Sequence, residues 1–227
     1  MKSTMRNLMM LAGIGLGLLL PAQAGAADNK DLRSLSAEWW QLVSSIPVAE
    51  NPAFDTTGEK CFMGQRGSTW FLYGTFGGSV TRNCSVPAGK EIFFPVANIS
   101  FVDTPNQCGQ GPESFSVAQM RSALDDSVAG LSDLSVELDG RLLRDKDLHR
   151  VRSTVFESAL PAGNLYDSAA VPCAAGIYSP SVADGYYVLL KSLAVGQHTL
   201  HFHAEAPEVG FVTDTTYHLT VVPVAGR

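Results

Sequence analysis

The chain is sparing with the residues that announce a chemistry. It holds four cysteines in 227 residues and no C-x-x-C pair, and only 17% of it is charged. Without paired spacing a zinc finger or ribbon is not expected. The signatures of nucleotide binding and hydrolysis are missing as well. There is no P-loop, no G-x-G-x-x-G, no H-E-x-x-H, no G-x-S-x-G and no EF-hand loop. Positive charge is also short, with 16 Lys and Arg against 22 Asp and Glu. That balance argues against nucleic acid as a partner, since a phosphate backbone demands a basic face. Beyond the first twenty residues no apolar run approaches the length of a membrane span, so no membrane insertion of the mature chain is expected.

What is present begins with an export signal. Lys2 and Arg6 precede the apolar run Leu8 to Leu20, and Ala22-Gln23-Ala24 supplies small residues for cleavage. Residues 1–24 read as a signal peptide, cleaved after Ala24, with Ala26 as second choice. No cysteine stands beside that site, which argues against a lipid anchor. The protein is expected to be secreted or periplasmic. Removing Lys2 and Arg6 lowers the 16 basic residues to 14 against 22 acidic, a net charge of −8. Residues 25–227 suit a single domain. In an exported chain an even cysteine count reads as disulfides. Of the three possible pairings we expect Cys61–Cys84 and Cys108–Cys173. The first staples a hairpin entrance to its return strand; the second joins two loops rich in Gly and Pro.

The hydrophobic pattern predicts two helices and many strands. Leu32, Leu35, Trp39, Leu42, Val43 and Ile46 recur at helical spacing over residues 31–46, with Pro47 as a stop. Ser116-Val117-Ala118-Gln119 is a capping box opening a second helix to Ala129. Between them, residues 59–98 read as a hairpin turning at Gly77-Gly78, then a third strand from Lys90. Asp139-Gly140 between apolar runs is a strong hairpin signal. A strand follows from Arg150 to Phe156, then a long loop from Leu160 to Asp184. Tyr186 to Leu190, His198 to Glu205 and Thr215 to Val222 are the last strands. The expected class is mainly β: a two-sheet β-sandwich, jelly-roll or immunoglobulin-like, with two peripheral α-helices at an end or an edge.

Three segments carry a resemblance. They are N-P-x-x-D-x-T-G-x-x-C from Asn51 to Cys61, G-Q-x-G-x-x-W-F-L from Gly64 to Leu72, and V-P-A-G-K-x-I-F-F-P-V-x-N from Val86 to Asn98. Together with the Trp-bearing first helix, this resembles a group of exported bacterial proteins with no established activity. The resemblance implies an exported bacterial protein and supplies no catalytic residue.

Candidate chemistry concentrates near the C-terminus, where four of the five histidines lie between His198 and His218. On an extended strand His201 and His203 share a face. Pairing that strand antiparallel with the last one, apolar faces together, puts His218 opposite or diagonal to them. Directly opposed Cβ atoms lie ~4.5–5.5 Å apart, close enough for imidazoles to share an ion. Glu205 continues that face and Glu208 follows in the loop. Zn or Cu are the metals such a site would take first. The run from His201 to Glu208 also resembles a fragment of the first cupin motif, with different glycine spacing and no second motif. The plainer reading is a solvated polar sheet face. Asp125-Asp126 and His149 read as solvated surface. Trp70, Phe71, Tyr73 and Phe76 read as core, or as a stacking platform on one face. Two functions follow: an exported binding module of unknown ligand, or a metal-binding protein or metal-dependent enzyme using the histidines.

Overall fold

The computed structural model describes residues 31–167 and 171–224; the expected signal peptide lies outside the described residues. In chain order the elements are α1 (Leu32–Ser44), β1 (Thr69–Phe71), β2 (Gly78–Pro87), β3 (Glu91–Val102), α2 (Val117–Ala129), β4 (Ser132–Leu138), β5 (Arg141–Leu142), β6 (His149–Arg152), β7 (Phe156–Leu160), β8 (Gly176–Leu190), β9 (Gly196–Ala206) and β10 (Phe211–Val222). Two five-stranded sheets result. Sheet A runs β1-β3-β8-β6, with β7 also on β8, and sheet B runs β2-β10-β9-β4-β5. The protein is thus a two-sheet β-sandwich with two helices. Parallel pairs join β1 to β3 and β2 to β10, and the other pairings are antiparallel.

Both helices start on side-chain caps, α2 on the predicted one. The Asp31 carboxylate accepts the Arg33 N–H at 3.1 Å. Ser116 and Gln119 complete a reciprocal capping box on α2, satisfying N–H groups that the first turn leaves unpaired. The β4–β5 hairpin turns through Asp139 and Gly140 at φ 52° and 75°, the two positive values a tight two-residue turn needs. Both expected disulfides are present, Cys61–Cys84 and Cys108–Cys173.

The hairpin expected across Gly77-Gly78 does not form. Its arms part: β1 lies in sheet A, whereas β2 pairs with β10 in sheet B. The cause is Arg82, which is only 2% exposed. Its guanidinium donates to the carbonyls of Ala53, Asp55, Tyr73 and Gly74 and to the Tyr217 hydroxyl, at 2.6–3.1 Å. The segment after β1 is tied by these bonds to an arginine rather than to a strand, which satisfies carbonyls that a ladder would otherwise take. A second correction concerns β8, which begins at Gly176 and absorbs part of the expected loop. Pro180 reads as a strand breaker, but it falls where the β7–β8 register shifts between Phe156↔Ser181 and Ser158↔Tyr178. At such a bulge no ladder N–H is needed. A third is the strand expected from Arg150 to Phe156, which divides into β6 and β7.

Strand parity defines the layers. Ile92 and Phe94 of β3 and Val188 of β8 face sheet B and join Leu200, Phe202, Ala204, Tyr217 and Leu219 in one core. The neighbouring Phe93 and Tyr187 point the other way, to Leu35, Trp39, Trp40 and Val43 of α1. Further along, Phe101 and Val182 are covered by Met120 and Leu124 of α2. By register Phe101 pairs with Val182 on the same face as Phe94 and Val188. So α1 packs on one face of sheet A, not at an end or an edge. The other face of sheet A is shared: sheet B takes one part and α2 takes the rest. Trp40, on the edge of the helical stripe by spacing, is buried as fully as Trp39.

Candidate functional site

Among the described residues no layer covers the outer face of sheet B, which carries His201, His203 and His218. The last two strands pair antiparallel, with Thr216 opposite His201, Asp214 opposite His203 and His218 opposite Thr199. All three histidines therefore share one face, and His218 stands diagonal to His201. Only two of them meet. His201 Nε2 lies 3.3 Å and His203 Nδ1 3.2 Å from the same oxygen, Asp214 Oδ2. Glu205 Oε1 is 3.3 Å from His203 Nε2. On β4, Glu137 neighbours His201 and Ser135 neighbours His203. Among the described residues, no group of three or more His, Cys, Asp and Glu is arranged to hold a metal ion.

Asp214 is the residue that sequence reading missed. The signal was available, since Asp214, Thr216 and His218 alternate on one face, but the strand was expected to begin at Thr215. It begins four residues earlier, at Phe211, and that boundary decided the omission.

The remaining candidates separate. His218 lines a shallow polar recess with Asn83, Asp139 and His198. His198 Nδ1 lies 2.8 Å from Asp139 Oδ2. The Asp139 carboxylate beside it, then the Ala194 carbonyl, raise the His198 pKa above the ordinary histidine value. In return the His198 contact holds the Asp139 carboxyl below the usual carboxylate range. Glu208 lines a groove at the seam where sheet B gives way to α2.

That groove is lined mostly by apolar side chains. Its main chamber, about 350 Å³, has walls from Ile99, Val128, Leu131 and Phe211, with Asp126 and Glu208 among its lining residues. A smaller chamber of about 100 Å³ reaches Trp39 and Phe76. The two share Ala97, Asn98 and Phe211, beside the register shift of β3 between Pro95 and Ala97. A bulge bends a strand locally, and here the bend lies where the two layers part. Trp70, Phe71 and Tyr73 are core and offer no stacking surface. Phe76 is 52% exposed and stacks on Phe54, ring centroids 4.7 Å apart, at the groove's outer end.

The expectation of solvated aspartates on α2 is half corrected. Asp125 pairs with Arg150 at 2.8 Å and with Arg152, whereas Asp126 lines the groove. Among the described residues, no helix is long and apolar enough to cross a membrane. Compared with known proteins, the chain matches no family model, no curated protein and no solved structure.

Proposed function

We propose that this protein is an exported, disulfide-stabilised β-sandwich binding module of the bacterial envelope or extracellular space. Its ligand is a small amphipathic molecule with an apolar body and a cationic or hydroxyl-bearing end, held in the seam groove. The observation that carries this is the groove's composition: apolar walls from two layers with Asn98, Asp126 and Glu208 among them. Pockets of a few hundred Å³ with apolar walls and few polar groups are the usual form of small-molecule sites. The carboxylates favour a positive end. Two disulfides with no free cysteine among the described residues fit an oxidising compartment.

The test uses a neutral fluorescent probe, N-phenyl-1-naphthylamine, and a cationic alkylammonium competitor. Saturable probe binding, abolished by filling the groove with Ala206→Trp, supports the reading. The competitor should lose its advantage over an anionic alkyl sulfate in Asp126→Asn/Glu208→Gln. No saturable binding, or binding indifferent to Ala206→Trp, overturns it. Export is checked separately, by sequencing the N-terminus of protein from the periplasm or medium. A mature end at Gly25 is expected.

Metal binding is the second reading, and the convergence of His201 and His203 on Asp214 is what favours it. Stoichiometric Zn or Cu in protein purified without a His tag, lost in His201→Ala/His203→Ala, would establish it. Metal-free protein whose melting is unmoved by added Zn or Cu would end it.

A further inference from the structure

A second concavity lies at the edge of sheet A, away from the groove. It is a cleft of about 950 Å³ around the edge strand β6, with Arg33 of α1 on one side and Arg121 of α2 on the other. Register places Arg150 and Arg152 on the face of β6 that α2 covers, beside Asp184. These two arginines are satisfied. Arg150 reaches Asp184 at 2.9 Å and Asp125 at 2.8 Å, and Arg152 reaches the same two carboxylates. The other two differ. Among the described residues, neither Arg33 nor Arg121 pairs with a carboxylate; each donates to a backbone carbonyl, of Arg152 at 3.3 Å and of Ser153 at 2.8 Å.

The two pairs of arginines thus differ in their partners. Contact with Asp184 raises the Arg150 pKa. Burial, then the charges of Arg33 and Arg152, lower that of Arg121. Four guanidinium groups surround two carboxylates here, in a chain whose net charge is −6. Asp31, the remaining acid of the cleft, caps α1 and keeps its negative charge, so four guanidinium groups stand against three carboxylates and the excess is one positive charge. A local cationic excess facing a cavity, in an acidic protein, is the complement of an anion. The planar fork of arginine matches tetrahedral oxyanions and carboxylates in two-point contacts.

We propose that this cleft binds a dianionic tetrahedral oxyanion, a phosphate or sulfate group, with Arg33 and Arg121 as its ligands. The inference is independent of the groove, since the two concavities share no lining residue. The experiment is calorimetric titration of the disulfide-intact mature chain with inorganic phosphate and with sulfate, against chloride at matched ionic strength to separate binding from screening. Saturable binding that weakens about tenfold in Arg33→Gln, and is unchanged in Lys90→Gln, supports the site. Arg33 is exposed, so its replacement spares the core. Arg121→Gln should weaken binding further; its fold is checked by circular dichroism because Arg121 also anchors Ser153. Glucose 6-phosphate distinguishes the sources. Tighter binding than free phosphate assigns a sugar-borne group, and equal binding assigns the free ion. No saturable binding of any of the three, or equal weakening by Lys90→Gln, overturns the proposal.

Discussion

Sheets A and B are built from the same number of strands but stand in different surroundings. Sheet A is covered on both faces, and β3 accordingly shows an unbroken buried run from Ile92 to Ala97. Sheet B is covered on one face, and β10 alternates buried and less buried residues from Phe211 to Val222. The difference teaches where function has room. In sheet A the middle stretches of β3 and β8 are committed to packing, so the open positions lie toward its edge, where the arginines gather, and its seam with α2. Among the described residues sheet B leaves its outer face to solvent, and His201, His203 and His218 occupy it.

The comparison breaks most directly if a covered position and an open one respond alike. Phe93 is fully buried between β3 and α1, with its ring stacked on Tyr187 at 5.2 Å. Phe93→Ala should destabilise by about 3–5 kcal/mol in chemical denaturation. His201→Ala, on the open face, should stay within about 0.5 kcal/mol. Comparable losses would mean that the outer face of sheet B is covered in the working protein, for instance by a partner.

The next effect down concerns the staples. Cys61–Cys84 pins the loop before β1 to β2 of sheet B, and Cys108–Cys173 joins the loops beyond β3 and before β8 of sheet A. Removing either by paired Ala substitution should cost about 2–4 kcal/mol. A loss confined to one of them would show that only one sheet depends on a covalent tie.

A smaller effect isolates a single polar group inside sheet A. The Tyr187 hydroxyl accepts from Ser36 Oγ at 2.9 Å and Asn98 Nδ2 at 3.1 Å, and burial pushes its pKa up to about 12. Tyr187→Phe keeps the ring and orphans both donors, so a loss of about 1–2 kcal/mol is expected. On sheet B the equivalent deletion, Thr220→Val on the exposed side of β10, should lie within about 0.5 kcal/mol. Equal costs would erase the distinction between the two environments.

These contrasts also explain what was legible beforehand. Period-two alternation marks β9 and β10 because one face is wet, and their pairing and shared histidine face follow from it. The capping box of α2 and the Asp139-Gly140 turn are local chemistry and were read correctly. The parting of β1 and β2 was not readable, because it depends on Arg82 reaching carbonyls that are distant in sequence. The extent of β8 was hidden by Pro180, whose tolerance depends on a bulge set by the partner strand. The arginine cleft was invisible for the same reason. Arg33, Arg121, Arg150 and Arg152 are scattered along the chain and meet only because α1 and α2 flank one edge strand.

The smallest expected effect tests the end of sheet B, at the β4–β5 turn, through pH. His198 and Asp139 form a half-exposed pair worth about 0.2–1 kcal/mol. The His198 pKa is raised in the folded state, so its contribution is full below the unfolded value near 6.5 and fades as pH rises through the folded one. The Asp139 pKa is lowered, so its contribution is full above 3.8 and fades as pH falls through the folded value. The pair is therefore strongest between about pH 4 and 6.5. Asp139→Asn keeps a residue that tolerates the positive φ of the turn, and its side-chain oxygen can still accept the Thr199 N–H that Asp139 accepts at 2.9 Å. The variant should lose stability at pH 5.5 and approach the parent at pH 8.5, measured by urea denaturation at both. A deficit that is the same at the two pH values would show that the turn, not the charge pair, accounts for it.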